Sequence, residues 1–224
     1  MYVLYGGGVS RAVGPQMVLE EAGLAYELRE IDIAAGEHRG PEFLAINPAG
    51  YVPARTTPEG ETLHEAAAIM LYLAERHGLD DLAPRVDDPL RGRFLSRLFF
   101  QTNDIQPAMK RSFYPERYAL EPDHIPRVRE AARGMARERW SVLDGYLAAD
   151  GPHHLGGRFS LLDLHMAVWV NYGLAAPRDL ADEFPAVGAC FTRVMARPKS
   201  AALLDDVIAK LAAWQKTKDR AAEA

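Results

Sequence analysis

Asn47-Pro48-Ala49-Gly50-Tyr51-Val52-Pro53 puts two prolines and a glycine into one short run that lies between apolar segments rather than in a polar linker. Pro48 biases Asn47 away from the helical region, so a helix stops there. Gly50 permits a positive φ at the turn. Pro53 fixes its own φ and gives up a backbone donor. The Val52–Pro53 bond is one where a cis peptide is cheap enough to exist. A turn of this kind holds backbone N–H and C=O groups away from regular pairing, and they need partners. Two readings are open: a tight loop between a helix and a strand, or a backbone edge on which a peptide-like ligand pairs.

Working back toward the N-terminus, Pro41 to Ile46 reads as a short helix that the turn ends, preceded by the polar loop Gly36-Glu37-His38-Arg39-Gly40. Tyr2 to Tyr5 is an apolar, aromatic run ending at Gly6-Gly7-Gly8, a buried strand followed by a turn. Ser10 precedes a helical stretch to Ala22, with Pro15 tolerable near its first turn and Gly23 as the stop. Tyr26 to Ile33 alternates as a strand does. The first thirty-three residues therefore predict a strand–helix–strand unit with parallel strands. Working forward, Ala54–Thr57 and Glu61–Leu63 predict a hairpin around Pro58-Glu59-Gly60. A helix follows from Glu65 to about His77, ended by Gly78.

Gly78 to Pro89 holds two prolines and four aspartates and reads as a linker. Beyond it the strand patterns disappear. Leu90 to about Lys110 is helical. Val128, Ala132, Met135, Val142 and Tyr146 predict the apolar face of a long helix, and Leu204, Val207, Ile208 and Leu211 that of another. Ser160-Leu161-Leu162-Asp163 has the form of a capping box, with aspartate where glutamate is commoner. Lys216 to Ala224 reads as a frayed tail. The expected organisation is residues 1–77 as an α/β domain, 78–89 as a linker and 90–224 as an all-α domain.

The 224 residues are 48% apolar and carry a formal net charge of −5. That is enough for a substantial core and gives no reason to expect nucleic acid or an anionic membrane as partner. With a single cysteine, Cys190, no intramolecular disulfide is possible, which fits a reducing compartment. The N-terminus lacks the basic and apolar regions of a signal peptide, and no window reaches the roughly 18 apolar residues of a membrane span. A cytoplasmic location is the expectation. His153-His154 raises the question of a metal, but no further ligand cluster is evident in sequence, so a loop is the reading and no metal is expected. Cys190 reads as core packing.

Four motifs in order then carry a resemblance. Glu37-His38-Arg39-Gly40-Pro41-Glu42-Phe43-Leu44, the Asn47–Pro53 run, Glu65-Ala66-Ala67-Ala68-Ile69 and Gly157-Arg158-Phe159-Ser160-Leu161-Leu162-Asp163 are together similar to the cytosolic glutathione transferases. The class is left open between beta-like and theta-like. The resemblance spans nearly the whole chain. It implies a thioredoxin-like α/β N-terminal domain joined to an all-α helical domain. It also implies glutathione as co-substrate, a small hydrophobic electrophile as second substrate, a role in detoxification and a homodimer.

The resemblance also implies site residues. Val52, before Pro53, would pair its backbone with the cysteinyl unit of glutathione, as an added strand does. Glu65 would meet the γ-glutamyl ammonium, and Ala66 would offer a backbone N–H to the adjacent carboxylate at a helix N-terminus. His38 and Arg39 would approach the glycyl carboxylate, where arginine donates twice. The catalytic task is to lower a thiol pKa of about 8.5. Ser10, in the turn entering the first helix, is the first candidate for contact with the sulfur. Arg11, where beta-class members have cysteine, is the second, and Tyr5 at the strand end the third. Asn103 and Asp104 are further candidates for glutathione contact. Phe113, Tyr114, Tyr118 and Trp169 are candidates to line an apolar electrophile pocket. Two departures stand out. Ala66 replaces a serine of the family, and Tyr51 replaces a lysine or glutamine; each lost hydrogen bond to a charged group costs about 1.5–3 kcal/mol. With the same site, a glutathione-dependent disulfide or peroxide reductase, an isomerase, and a non-catalytic binding protein remain alternatives.

Overall fold

A computed structural model of the chain describes residues 1–176 and 178–223, without the side chains of 215 and 217–223. Its described residues form two compact units, Met1–Ala83 with Met195–Ala224, and Pro84–Val194.

The first unit is built on a four-stranded sheet in the order β2-β1-β3-β4, with β1 at Tyr2–Gly6, β2 at Tyr26–Glu30, β3 at Ala54–Thr56 and β4 at Thr62–His64. β1 and β2 run parallel, Tyr2 opposite Tyr26, and β1 pairs antiparallel with β3, Leu4 opposite Arg55. Helix α1, Val13–Ala22, joins the parallel pair and ends on Gly23 in the left-handed conformation. β2 stops at Glu30, shorter than the alternation to Ile33 predicts, because a turn begins in its place: Asp32 accepts from Ala35 N and Glu37 reaches back to Asp32 N. α2 spans Pro41–Ile46, as the flanking prolines dictate, and α3 spans Ala66–Arg76. Leu4, Met17, Leu19, Ile69, Met70 and Leu73 form a fully buried core between sheet and helices.

Among the described residues, that core contains one charged side chain. Arg55 is fully buried, and its guanidinium lies 4.3 Å from the Tyr2 ring centroid and 4.5 Å from that of Tyr72. None of its three nitrogens has a hydrogen-bond partner among the described residues. Two aromatic faces replace water around it, a desolvated cation–π arrangement worth about 2 kcal/mol or more.

The second unit is helical. α4, Arg91–Phe100, runs into a π-helical turn at Gln101–Ile105 and continues as α5, Gln106–Phe113. Then come α6 at Ile125–Asp150, α7 at Leu161–Tyr172, α8 at Asp179–Glu183 and α9 at Pro185–Met195. α10, Pro198–Glu223, belongs by its packing to the first unit. There Glu21 of α1 accepts from Arg197 Nη2 at 2.6 Å and from Ser200 Oγ at 2.7 Å. The compact grouping thus differs from the 90–224 boundary expected from sequence, because a clasp of long sequence separation has no local signal. Leu204, Val207 and Leu211 are the buried face of α10, as predicted. The helix runs on through Glu223 where a frayed tail was expected from Lys216; Ala224 lies outside the described residues.

α6 needs a correction. Its buried residues are Ala132, Ala136, Trp140, Leu143 and Leu147, whereas Met135, Val142 and Tyr146 are exposed. The two sets occupy adjoining arcs of one helix. The apolar band is wider than the surface it buries, and Trp140, whose indole N–H points at Met109 Sδ, fixes which arc faces inward. Leu82 and Ala83 are buried, and Asp88 accepts from Leu90 N at 2.8 Å and from Arg158 at 2.6 Å.

At the N-terminus of α7 the capping box is present. Ser160 Oγ accepts from Leu162 N, and Asp163 Oδ2 accepts from Ser160 N at 2.7 Å.

Candidate functional site

The Asn47–Pro53 turn is held from inside by its own first residue. Asn47, almost fully buried, donates from Nδ2 to Tyr51 O at 2.6 Å and accepts from Ala49 N at 3.1 Å. One side chain thus satisfies the backbone that a proline-rich turn cannot pair regularly. Gly50 takes a φ of 62°, and a Cβ there would come within 2.9 Å of Arg39 Nη1 and 3.0 Å of His38 O. This glycine is needed both for its φ and for the close approach of the 37–39 turn. The Val52–Pro53 peptide is cis.

That close approach brings His38 and Arg39, on a 3₁₀ turn at Glu37–Arg39, against the proline turn. Arg39 Nη1 donates to Ala49 O at 3.4 Å, and its guanidinium lies 5.2 Å from the Tyr51 ring centroid. Tyr51 therefore supplies an aromatic face to Arg39 at the position where the resemblance has a hydrogen-bonding side chain.

On the other side of the turn, the end of β1 and the entry to α1 close on Val52. A Cβ on Gly6 would collide with Ala12 Cβ and would lie 3.5 Å from both Ser10 Oγ and Val52 Cγ1. Ser10 and Val52 thus border one point at the strand end. Ser10 is buried and its Oγ accepts from Ala12 N at 3.3 Å. α1 starts only at Val13, so the hydroxyl caps the loop rather than the helix proper. Accepting from Ala12 leaves the hydroxyl hydrogen to donate elsewhere. Arg11 Nη2 donates to Val52 O at 3.3 Å, and its Nη1 is 3.7 Å from Glu65 Oε2.

Glu65 precedes α3 with φ 68° and ψ 116°, a left-handed backbone on a residue with a side chain. Ala66 is the first residue of the helix and is buried; the first N–H groups of a helix lack intrahelical partners and point outward along its axis. The structure thus gathers Ser10, Arg11, Val52 and Glu65 around one turn, with His38, Arg39 and Tyr51 on its other flank. Tyr5 differs. Successive strand side chains point to opposite faces, so Tyr5 faces away from the side on which Gly6 meets Ser10 and Val52. Its ring packs edge-on against Phe43, centroids 6.4 Å apart, beneath Arg29.

In the second unit, Asn103 and Asp104 are exposed on the π-helical turn, a feature that recurs at functional sites. Phe113, Tyr114 and Trp169 join through Tyr172. Phe113 meets Tyr172 edge-on at 5.4 Å, and Trp169 lies 5.8 Å from Tyr172. Phe113 and Tyr114 are 6.3 Å apart. The Trp169 N–H is buried without a hydrogen bond among the described residues. Tyr118 stands apart, 46% exposed, under Arg111.

His153 does acquire companions that the sequence did not reveal. A ring nitrogen of His153, an Asp163 oxygen and Cys190 Sγ all lie within 4.8 Å of one another. Asp163 is already occupied as an acceptor, from His154 N at 3.2 Å and Cys190 Sγ at 3.1 Å as well as from Ser160. Burial, and then the neighbouring Asp163 charge, push the Cys190 thiol far above its ordinary range, so the sulfur keeps its proton.

Sequence reasoning missed Asn47 as the organiser of the turn, though an asparagine preceding proline carries a known turn signal. It also missed Gly6 as the point of convergence, and Tyr172.

Comparisons with known proteins agree with this fold. Residues 12–76 match the family model described as "Glutathione S-transferase, N-terminal domain", and residues 106–198 match "Glutathione S-transferase, C-terminal domain". The chain is 33% identical to the glutathione S-transferase-like protein gedE of Aspergillus terreus over 75% of each chain. It is 32% identical to the disulfide-bond oxidoreductase YfcG of Escherichia coli, over 81% of this chain and 84% of that one. Among solved structures, the glutathione transferase URE2P6 of Phanerochaete chrysosporium, in complex with oxidized glutathione, superposes with a TM-score of 0.81. It shows 26% identity and covers 94% of this chain and 97% of its own.

Proposed function

The chain belongs to the glutathione S-transferase family, and from that we propose that it binds glutathione at the Val52–Pro53 turn and ionises the thiol for attack on a small hydrophobic electrophile. The observation that carries the reading is the gathering of Ser10, Arg11, Val52 and Glu65 at one point of the first unit.

In this reading the Val52 backbone pairs with the cysteinyl unit, and the Glu65 carboxylate takes the γ-glutamyl ammonium. The N–H of Ala66 at the start of α3 takes the neighbouring carboxylate, where the positive end of a helix favours it. Arg39 and His38 take the glycyl carboxylate. The Ser10 hydroxyl, already accepting from Ala12 N, donates to the sulfur. Lowering a thiol pKa by about two units requires about 2.7 kcal/mol of preference for the thiolate. One hydroxyl and one nearby cation in a site of little water are of that scale. The aromatic cluster of Phe113, Tyr114 and Trp169, with Tyr118 as a further candidate, is assigned to the electrophile. Asn103 and Asp104 remain candidates for glutathione contact. A homodimer, expected from the family, is tested by light scattering of the pure protein.

A second reading, reduction of disulfides, is favoured by the likeness to the oxidoreductase YfcG. The one cysteine of the chain is buried in the second unit, so such a reaction takes its thiols from glutathione. One glutathione thiolate attacks a disulfide and expels a thiolate. A second glutathione thiolate then attacks the mixed disulfide, giving oxidised glutathione and the second thiolate. The substitutions at Ala66 and Tyr51 leave a non-catalytic glutathione-binding role as the third reading.

The test is a pH titration of thiolate absorbance for glutathione bound to the pure protein. A bound thiol titrating below about pH 7 is expected, against about 8.5 for a free one. Ser10→Ala raises that value by about one unit; no change in the variant removes Ser10 from the role. An unshifted thiol in the unmodified protein defeats thiolate activation altogether. Turnover of a small dialkyl disulfide without conjugation of aryl halides selects the reductase.

A further inference from the structure

Arg11 occupies the very acceptors that the glutathione reading assigns to the ligand. Its Nη2 donates to the Val52 carbonyl at 3.3 Å, where the cysteinyl N–H is expected. Its Nη1 is 3.7 Å from the Glu65 carboxylate, where the γ-glutamyl ammonium is expected. Nη1 is buried and makes no hydrogen bond among the described residues, so the cation is held by charge at a distance and by one long hydrogen bond. We propose that Arg11 stands in for the ligand's donors before glutathione binds. Displaced by the γ-glutamyl ammonium, it transfers its pairing to the sulfur, so that recognition of the ammonium and ionisation of the thiol are coupled through this residue. The proposal rests on the glutathione reading and adds to it a regulation of the same site.

The physical argument concerns what a guanidinium does when both partners are taken. Its side chain is 13% exposed, and a cation so placed is costly to leave unpaired. When the ammonium pairs with Glu65 and the peptide N–H takes Val52 O, Arg11 loses both contacts at once. The ligand's two carboxylates are taken by the Ala66 N–H and by His38 and Arg39, which leaves the cysteinyl sulfur, in its thiolate form, as the new negative charge beside Val52. The cation then favours thiolate over thiol. The S–H bond is the only one broken, and its proton leaves to solvent. A ligand that lacks the ammonium leaves Glu65 to Arg11 and the sulfur without its cation. The guanidinium suits this exchange because it carries five donors in a fixed fork and can address two acceptors at once.

The experiment compares glutathione with an analogue in which hydrogen replaces the γ-glutamyl ammonium. S-methylglutathione serves as a ligand without an ionisable thiol. The thiol pKa of each bound ligand is read from thiolate absorbance, and the Kd of S-methylglutathione from calorimetry. In the unmodified protein, the thiol of the deaminated analogue is expected to titrate about one pH unit or more above that of glutathione, a tenfold change in the ionisation constant. In Arg11→Gln the gap closes to a few tenths of a unit, while S-methylglutathione binds at least as tightly as before because nothing has to be displaced. A gap of the same size in Arg11→Gln overturns the proposal, as does no gap in the unmodified protein. So does a tenfold loss of S-methylglutathione affinity with the thiol pKa unmoved, which marks Arg11 as a structural contact. If Arg11→Gln does not fold, Arg11→Lys is read in its place: a smaller gap supports the exchange and an unchanged one defeats it. Failure of S-methylglutathione to bind the unmodified protein is a different result, which overturns the glutathione reading itself.

Discussion

Glu65 holds a backbone that few side chains tolerate, φ 68° and ψ 116°. A non-glycine residue in such a conformation costs about 1–3 kcal/mol and persists where its surroundings over-determine it. Here the helix that follows and the carboxylate beside Arg11 both depend on that position. Glu65→Gly relieves the backbone and removes the carboxylate; Glu65→Ala removes the carboxylate alone. The glycine variant is expected to melt several degrees above the alanine variant, for about 1 kcal/mol of relieved strain, while both lose glutathione affinity equally. Equal melting temperatures argue that the backbone at this position is not strained. Unequal affinities argue that the backbone itself, and not the charge, holds the ligand. At this scale the proximity of several candidate residues was legible. Val52, Pro53, Glu65, His38 and Arg39 sit on motifs with fixed spacing, and the structure brings them to one turn. The engagement of Arg11 was not legible, because it depends on partners at Val52 and Glu65 that no local pattern couples to a residue before the first helix.

Among the elements, α2 and the α7 cap were the most readable, since proline and the capping box act on their own neighbours and leave a local trace. The π-helical turn at Gln101–Ile105 left none, because one extra residue in a turn changes no periodicity that a short helix can display. α6 failed in a different way. Its polar and apolar arcs do not divide at the edge of the buried face, and only the packing of Trp140 decides between them. The clasp of α1 and α10 shows the limit for long-range contacts. Burial raises the Glu21 carboxyl pKa, but the hydrogen bonds from Arg197 and Ser200 and their charge environment outweigh it and hold the group below its usual range. Glu21→Ala leaves Arg197 and Ser200 without this acceptor and is expected to lower unfolding free energy by about 1–3 kcal/mol. Denaturant titration measures the loss. A parallel variant, Ser200→Ala, should cost less, and equal losses would mean that the charge at Arg197 contributes nothing.

For the whole molecule, acid is the informative stress. His154 is fully buried, and its Nε2 lies 3.3 Å from the Gln101 amide nitrogen, an arrangement that requires an unprotonated ring nitrogen. Burial first, then the charges of Arg97 and His153, outweigh the pull of Asp163 and bring its pKa down to about 4 from 6.5. The unfolded chain therefore binds a proton below about pH 6.5 that the folded chain refuses until about pH 4, and stability falls as pH drops through that window. At pH 5 the protein is expected to be about 2 kcal/mol less stable than at pH 7.5 from this group. Urea unfolding at the two values measures the difference, and in His154→Asn the fall should shrink; a fall that survives the substitution has another source. The division of the chain carries a consequence for its birth. Its first unit takes residues from both sides of the second, 1–83 and 195–224. A ribosome synthesises from the N-terminus and so delivers the whole of the helical unit before the helix that clasps α1 emerges. The first unit is translated first and completed last. Until residue 195 clears the exit tunnel, the surface of α1 that α10 covers is open to chaperones.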